Sequence, residues 1–464
     1  MPYYHDNSLG GPVRIGKPSD ITVDPFDGEW VDGYLLTGLD GDVWLRRREP
    51  VTVGALRRLA AERAREFREV GLRPGGAVGL RMSPGLEYVV NLLAAWRVGA
   101  QVSLLDHRLT EHEVSQALAR IAPQFIASDG GSIAAYPGEP ARTEHALLQL
   151  SSGSTGPSKV VGRTAAALVT EVETYQLIDG TPQPGERIVL LASMVHVLGL
   201  VGGLLYGLRT GVQIVLPGAL TTDAILGAVA SGPEPATVLG VPTHLPFLTA
   251  GSARPLPQLK RMTVGGELVR QAARQAFTDR YGVPLGNMYG MTEVGVIATD
   301  LFAEHRPALR PIPGMAVREE AGQLLVATAE SPYVGLTEPG RWVDGWLYTK
   351  DAGTVDPTTG LVTVRGRLDS QVSVGGLKVD LTEVEQALTG LPGVVEAVVA
   401  WDGAIEAFLV LEDPAGVPAL KEALAGRLAA YKRPRRLTVV TRLPRTSSGK
   451  LIRAVPALRA AVSS

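Results

Sequence analysis

The sequence predicts an α/β protein, with a large N-terminal domain of parallel-rich sheets covered by helices and a small α+β C-terminal domain behind it. Three observations lead there. From about Val51 amphipathic stretches alternate with short extended runs, the extended runs are apolar enough to be buried on both faces, and after about Ser370 the order of elements changes.

The first unit sets the pattern. "VTVGALRRLAAERAREFREVG" places Leu56, Leu59, Ala60, Ala64 and Phe67 on one helical face, and "AVGLRM" follows as a strand. "GLEYVVNLLAAWRVGA" reads as helix, "QVSLLD" as strand, "EHEVSQALARIA" as helix and "QFIASD" as strand. After a Ser/Gly-rich loop come the helix "TAAALVTEVETYQ" and the strand "RIVLLAS", then the strands "VQIVLPG", "ATVLGVP" and "LKRMTVGG". The run from Ile188 to Leu208 is as long as a membrane span and uncharged, but it divides into a β-rich part, a break around Ser193 and His196, and a glycine-rich helical part. It therefore reads as a buried strand and a buried helix. The last segment runs helix "TEVEQALTGL", strand "VEAVVAW", strand "IEAFLVLED", helix "ALKEALAGRLAAY" and strand "RRLTVVTRL", an α+β unit of ordinary domain size.

Composition narrows the function. The 464 residues hold 45 Lys plus Arg against 47 Asp plus Glu, so there is no global field to draw nucleic acid or an acidic membrane, and neither is expected as a partner. With no cysteine, the chain can have no disulfide, thiolate metal site or catalytic thiol, and thioester chemistry would need an external sulfur. The N-terminus lacks the basic start and apolar core of a signal peptide, and a cytoplasmic location is expected.

The loop "LQLSSGSTGPSK", directly after the apolar run "ALLQL", has the chemistry of a polyphosphate cradle. Glycines admit close backbone amides, hydroxyls donate, and Lys159 adds a point charge. It is not a P-loop. Counted from Gly153, the second glycine of that motif would fall at Ser158 and its Ser/Thr at Val160. "SSGKL" fails likewise, with Pro444 and Leu451 at the required positions. Taken alone, either stretch could be a flexible turn.

Six stretches in order change that balance: "LQLSSGSTGPSK", "VGGE" (Val264 to Glu267), "NMYGMTE" (Asn287 to Glu293), "WLYTKD" (Trp346 to Asp351), "GRLDSQVSVGG" (Gly366 to Gly376) and "LPRTSSGKLIR" (Leu443 to Arg453). Their order and spacing resemble the adenylate-forming superfamily of acyl- and aryl-CoA synthetases, peptide-synthetase adenylation domains and beetle luciferase, over nearly the whole chain from Val51. The resemblance implies two steps. A carboxylate attacks the α-phosphorus of Mg·ATP to give acyl-AMP and pyrophosphate, and a nucleophile then displaces AMP.

It also implies roles. Ser151, Ser152, Gly153, Ser154, Thr155, Gly156 and Lys159 would hold the β- and γ-phosphates. Gly265, Gly266 and Glu267 would lie beside the adenine and acyl group, with Asn287 and Gly290 also on the nucleotide. Tyr289 would stack on adenine, Thr292 would donate to a phosphate oxygen and Glu293 would ligate Mg²⁺. Asp351 and Arg367 would take the ribose, although Lys350 stands where the commonest pattern has glycine. Asp369 would be the hinge about which a mobile small domain, residues 369–464, turns against residues 1–368. Lys450 would reach the substrate carboxylate and α-phosphate, a task suited to a mobile point charge.

His196 falls where acyl- and aryl-CoA synthetases commonly carry histidine, in a segment lining the acyl pocket. No acidic residue lies between Arg187 and Arg209 to meet an α-ammonium group, so an aromatic or aliphatic acid other than an α-amino acid is expected. Gly375 and Gly376 resemble the turn beside the pantetheine arm of CoA, whereas Ser373, Leu381 and Thr382 depart from the usual pattern there. CoA is the expected acceptor. A carrier-protein phosphopantetheine, an amine, and a binding-only relative of the enzymes stay open.

Overall fold

Apolar strands joined by helices close into two large sheets. The computed structural model describes residues 27–462 other than 110, 151–158, 251–254, 336–339, 375–376, 429 and 448. The first sheet has six strands in the order Ser132–Ala135, Phe125–Ser128, Ala77–Met82, Gln101–Asp106, Leu147–Leu150 and Val160–Arg163, parallel except at its two edges. The second has nine, and its six central members are parallel: Leu285–Met291, Leu259–Gly265, Ala236–Gly240, Arg187–Leu190, Gln213–Val215 and Val43–Arg46. Every residue of Gln101–Asp106, Arg187–Leu190 and Ala236–Gly240 is buried, as expected of parallel strands covered on both faces.

One continuous core joins the two sheets. Leu80, Val102 and Leu147 of the first pack in the same cluster as Ile188, Ile214 and Leu239 of the second, through the helices Leu86–Arg97 and Ala165–Gln176 and the helical stretch 197–210. The outer faces are covered by Glu111–Ile121 on one side and by Thr222–Val229 and Gln271–Tyr281 on the other. Three of the helices start where a threonine caps them. Thr52, Thr164 and Thr221 accept from the amides of Ala55, Ala167 and Ala224 at 3.2, 3.1 and 3.3 Å.

The segment Ile188 to Leu208 divides as expected, into the strand Arg187–Leu190 and a helical stretch with a π-turn at Leu200–Leu205. Its glycines serve close packing. A Cβ at Gly203 would lie 2.7 Å from Leu190. Among the described residues no helix is long and apolar enough to cross a membrane.

Three features go beyond the elements read from the sequence or differ from them. Leu59 lies outside the buried face of its helix, which turns Leu56, Ala60, Ala64 and Phe67 inward at three- and four-residue steps. Residues before Val51 belong to the core, since Val43–Arg46 pairs in parallel with Gln213–Val215 and Trp30 stacks on Trp96 at 4.8 Å between centroids. Finally, residues 317–367 form a third, antiparallel sheet of five strands. Along its longest strand, Trp346–Val355, buried and part-exposed residues alternate at the start and polar residues interrupt the apolar ones, unlike the continuous apolar runs of the parallel strands.

Beyond it, the helices Leu381–Thr389 and Val417–Ala425 pack on the strands Val394–Trp401, Ile405–Leu411 and Arg436–Val439, with a core of their own around Val384, Leu388, Val399 and Leu409.

The start of a central strand rests on one buried cation. Arg187 is wholly buried and donates to the carbonyls of Val229, Gly232 and Glu234 at 3.0, 2.9 and 2.7 Å, and to Ser231 Oγ at 3.0 Å. Removing it leaves the buried Val229 carbonyl without this donor and unties the strand from residues 231–234. Arg187→Met should cost about 1–3 kcal/mol of stability, measured by urea unfolding; an unchanged stability would refute this account.

Candidate active site

The carboxyl ends of the neighbouring strands Leu259–Gly265 and Leu285–Met291 open on a cleft of about 2120 Å³, which also takes in the amino ends of Ala77–Met82 and Gln101–Asp106 and is bounded on the far side by the C-terminal unit. Lys159, Gly266, Tyr289, Glu293, Asp351 and Lys450 all line it. Residues that span almost three hundred positions of sequence thus share one space.

Strand Leu285–Met291 carries Asn287, Tyr289 and Gly290 to the rim, and the chain then turns sharply into Gly295–Asp300, with the Val294 amide donating to the Met291 carbonyl at 3.3 Å. Gly290 is needed here because a Cβ would sit 2.5 Å from the Gly295 carbonyl oxygen. The turn presents Thr292 and Glu293. Arg163 holds it from below, donating to the Thr292 carbonyl at 2.9 Å while pairing with Glu171. Burial pulls the Arg163 guanidinium down to about 10, and the charge of Glu293 works against that shift. Glu293 is itself buried, and its Oε1 accepts from the Tyr333 hydroxyl at 2.8 Å.

Across the cleft, Asp351 lies in strand Trp346–Val355. Its Oδ2 accepts from the Tyr289 hydroxyl at 2.7 Å, and its amide donates to Thr349 Oγ1 at 3.0 Å. The residue before it explains the usual glycine. Lys350 has φ +60°, a left-handed conformation that strains any residue with a Cβ.

Lys450 enters from the C-terminal unit on a tight turn. The Thr446 amide donates to the Lys450 carbonyl at 2.8 Å and the Gly449 amide to the Thr446 carbonyl at 2.9 Å. Arg445 ties this turn to Glu396 at 2.5 Å and to the Gly449 carbonyl at 2.7 Å, and Arg453 reaches Glu385 at 2.7 Å. The lysine arrives beside Gly266, where a Cβ would lie 3.8 Å from its Cε. Glu267 is pushed up by burial, against the pull of Arg445, Lys450 and Arg453.

His196 stands at the break after strand Arg187–Leu190. Its Nε2 is buried without a hydrogen-bond partner among the described residues, and burial, helped by the Lys450 charge, pulls its pKa down to about 4. Asp106 acts on it in the opposite sense, but that carboxylate is held by Arg108, whose Nε and Nη2 donate to it at 3.0 and 2.8 Å. His244 is a second buried imidazole that the sequence did not single out. Its Nδ1 accepts from the Val241 amide at 3.1 Å, and burial brings it to about 4.

Ser151, Ser152, Gly153, Ser154, Thr155, Gly156, Gly375 and Gly376 lie outside the described residues, as do the side chains of Arg367 and Asp369. The strands on either side of the Ser/Gly loop, Leu147–Leu150 and Val160–Arg163, pair antiparallel, and Lys159 at its end lies 5.5 Å from the Tyr333 ring centroid.

The sequence profile of the AMP-binding enzymes matches residues 40–132 and 128–341, and that of the AMP-binding enzyme C-terminal domain matches 383–450. The chain belongs to the AMP-binding enzyme family. Within that family it is 28% identical to a feruloyl-CoA synthase of Amycolatopsis sp, over 87% of this chain and 92% of that one. It is 26% identical to a 4-chlorobenzoate–CoA ligase of Arthrobacter sp, over 81% and 84%. The fold is that of O-succinylbenzoate coenzyme A synthetase from Bacillus subtilis, solved in complex with ATP and magnesium ion, with a TM-score of 0.80 at 23% identity over 91% of this chain and 98% of that one. Lys350 is marked in the sequence as a departure from the usual glycine, and the structure adds the left-handed backbone it adopts. Arg163 and Tyr333 carry no signal in the sequence, because single residues outside a motif reveal no role until folding pairs them.

Two outcomes follow from the site's electrostatics. Both histidines have folded pKa values near 4 against an ordinary 6.5. Between these values the unfolded chain binds protons that the folded chain refuses, so stability falls as pH drops through this window and is constant above it. The loss should reach about 2 kcal/mol per histidine by pH 5, and His244→Gln should remove half of it in urea unfolding at pH 7 and pH 5. Lys350→Gly should gain about 1 kcal/mol by releasing the left-handed backbone; an unchanged or lowered melting temperature would refute the strain.

Proposed function

We propose that this enzyme activates a carboxylic acid lacking an α-ammonium group, aromatic or aliphatic, to acyl-AMP and transfers the acyl group to the thiol of CoA. The observation that carries the reading is the delivery of Lys450 into the cleft beside Gly266, in the space shared with Asp351 and Glu293.

In the first step the acid's carboxylate oxygen bonds to the α-phosphorus of ATP as the bond to the β-bridging oxygen breaks, and pyrophosphate leaves. Both reactants are anions, so the site must supply positive charge where theirs meet. Lys450 is placed for that role, with Lys159 on the departing phosphates and the Thr292 hydroxyl donating to a phosphate oxygen. Asp351 takes the ribose diol, and Tyr289 braces that carboxylate while presenting its ring to adenine. Among the described residues no three His, Asp or Glu side chains gather as a resident metal site would require. A single buried carboxylate suits Mg²⁺ brought in on the nucleotide, since Mg²⁺ is ordinarily held by one or two carboxylates together with phosphates. Glu293 would hold it, and the ion's charge neutralises the triphosphate.

In the second step the thiol sulfur bonds to the acyl carbon, the bond to the phosphate oxygen breaks and AMP leaves. Turning of the small unit about Asp369 would withdraw Lys450 and bring Gly375 and Gly376 to the pantetheine arm. The acid class is supported by the absence of acidic residues from 187–209 and by the pairing of Asp106 with Arg108. The aryl acids named for the two curated relatives and the cysteine-free composition support an aromatic acid and an external thiol.

With Mg·ATP, hydroxylamine and a panel of aromatic and aliphatic acids, pyrophosphate release should depend on the acid, and CoA should replace hydroxylamine as acceptor. Lys450→Ala should lower that release about 100- to 1000-fold while the protein stays folded. Equal turnover by the variant would remove Lys450 from the reaction, and α-amino acids as the preferred substrates would overturn the acid class.

A further inference from the structure

Residues 332–334 run antiparallel to the edge strand Val160–Arg163. The Gly162 amide donates to the Pro332 carbonyl at 2.9 Å and the Val334 amide to the Val160 carbonyl at 3.0 Å. Tyr333 is thereby fixed to the strand that leaves the Ser/Gly loop. Its ring is buried against Val161 and Leu347, and Lys159 lies over the ring face at 5.5 Å. Its hydroxyl reaches the other side of the site. It donates to Glu293 Oε1 at 2.8 Å and accepts from Arg341 Nε at 2.9 Å.

The second contact determines the direction of the first. A guanidinium only donates, so Arg341 occupies the phenol oxygen as acceptor and the phenol proton has to go to Glu293. One carboxylate oxygen is thus fixed by a hydrogen bond of known polarity, which sets the orientation of the other. A metal-binding carboxylate is tuned in this way by the group that hydrogen-bonds it from behind.

We propose that Tyr333, polarised by Arg341, is a positioning residue that orients the Glu293 carboxylate for the Mg²⁺ carried by ATP. The inference rests on the functional reading above. It also makes Tyr333 the physical link between the two groups expected to meet the triphosphate, Lys159 on its ring and Glu293 on its hydroxyl.

The test uses the full chain without any acid, so that nothing turns over. ATP binding by calorimetry is followed as Mg²⁺ is raised from a chelated baseline, for wild type and Tyr333→Phe, alongside the melting temperature of each free protein. Phenylalanine keeps the ring under Lys159 and removes only the hydroxyl. The Mg²⁺ concentration for half-saturation should rise about tenfold, while the weak binding of metal-free ATP stays the same. A merely structural tyrosine would lower the melting temperature and leave the Mg²⁺ midpoint in place. If Tyr333→Phe fails to fold, Arg341→Gln serves instead. Glutamine can accept the phenol proton and release Glu293, so the midpoint should move the same way by a smaller factor. Superimposable Mg²⁺ titrations overturn the inference alone, whereas a wild type that binds no ATP under any condition overturns the functional reading beneath it.

Discussion

Parallel strands have to be buried on both faces, and in this chain two parallel sheets meet that demand by sharing one layer of helices. The arrangement leaves the strand ends and the loops that follow them as the irregular backbone available for chemistry. Gly266 and Met291 line the same cleft because the neighbouring strands Leu259–Gly265 and Leu285–Met291 end on it side by side. The placement of Thr292 and Glu293, in the turn that follows the second of these, depends on that.

The polar groups around the cleft hold one another in place. Arg163 and Glu171 pair below the Thr292–Glu293 turn, Arg341 and Tyr333 brace it from the side, and Asp351 is steadied by Tyr289. Buried ion pairs of this kind contribute little net stability, because desolvation offsets their attraction. Their value is geometric. A site that must stabilise charge appearing on a phosphorus centre gains from dipoles and charges that do not have to reorganise.

Lys450 is handled differently. It rides on a turn clamped to the C-terminal unit by Arg445 with Glu396, and Arg453 with Glu385 holds the chain just beyond it. The cation is therefore carried by that unit rather than by a tail of its own, and it would travel with the unit in the turning proposed about Asp369. A lysine on a flexible tail would lose more conformational entropy for the same contact.

The sequence by itself determined the alternation of strands and helices, the strand-then-helix reading of Ile188 to Leu208, and the motifs that hold Tyr289, Glu293, Asp351 and Lys450. These were legible because burial periodicity and motif spacing are local properties of a chain. The third sheet was not, since polar residues interrupt the apolar ones along Trp346–Val355 and the edge strand Val317–Glu320 is largely exposed, so no continuous apolar run marks them. Nor were Tyr333 as the donor to Glu293, Arg163 beneath Thr292, the left-handed backbone of Lys350 or the buried neutrality of His244. Only the tertiary structure decided them, because a hydrogen bond between residues forty or more than a hundred positions apart, a φ angle and a degree of desolvation come into being only when the chain closes on itself.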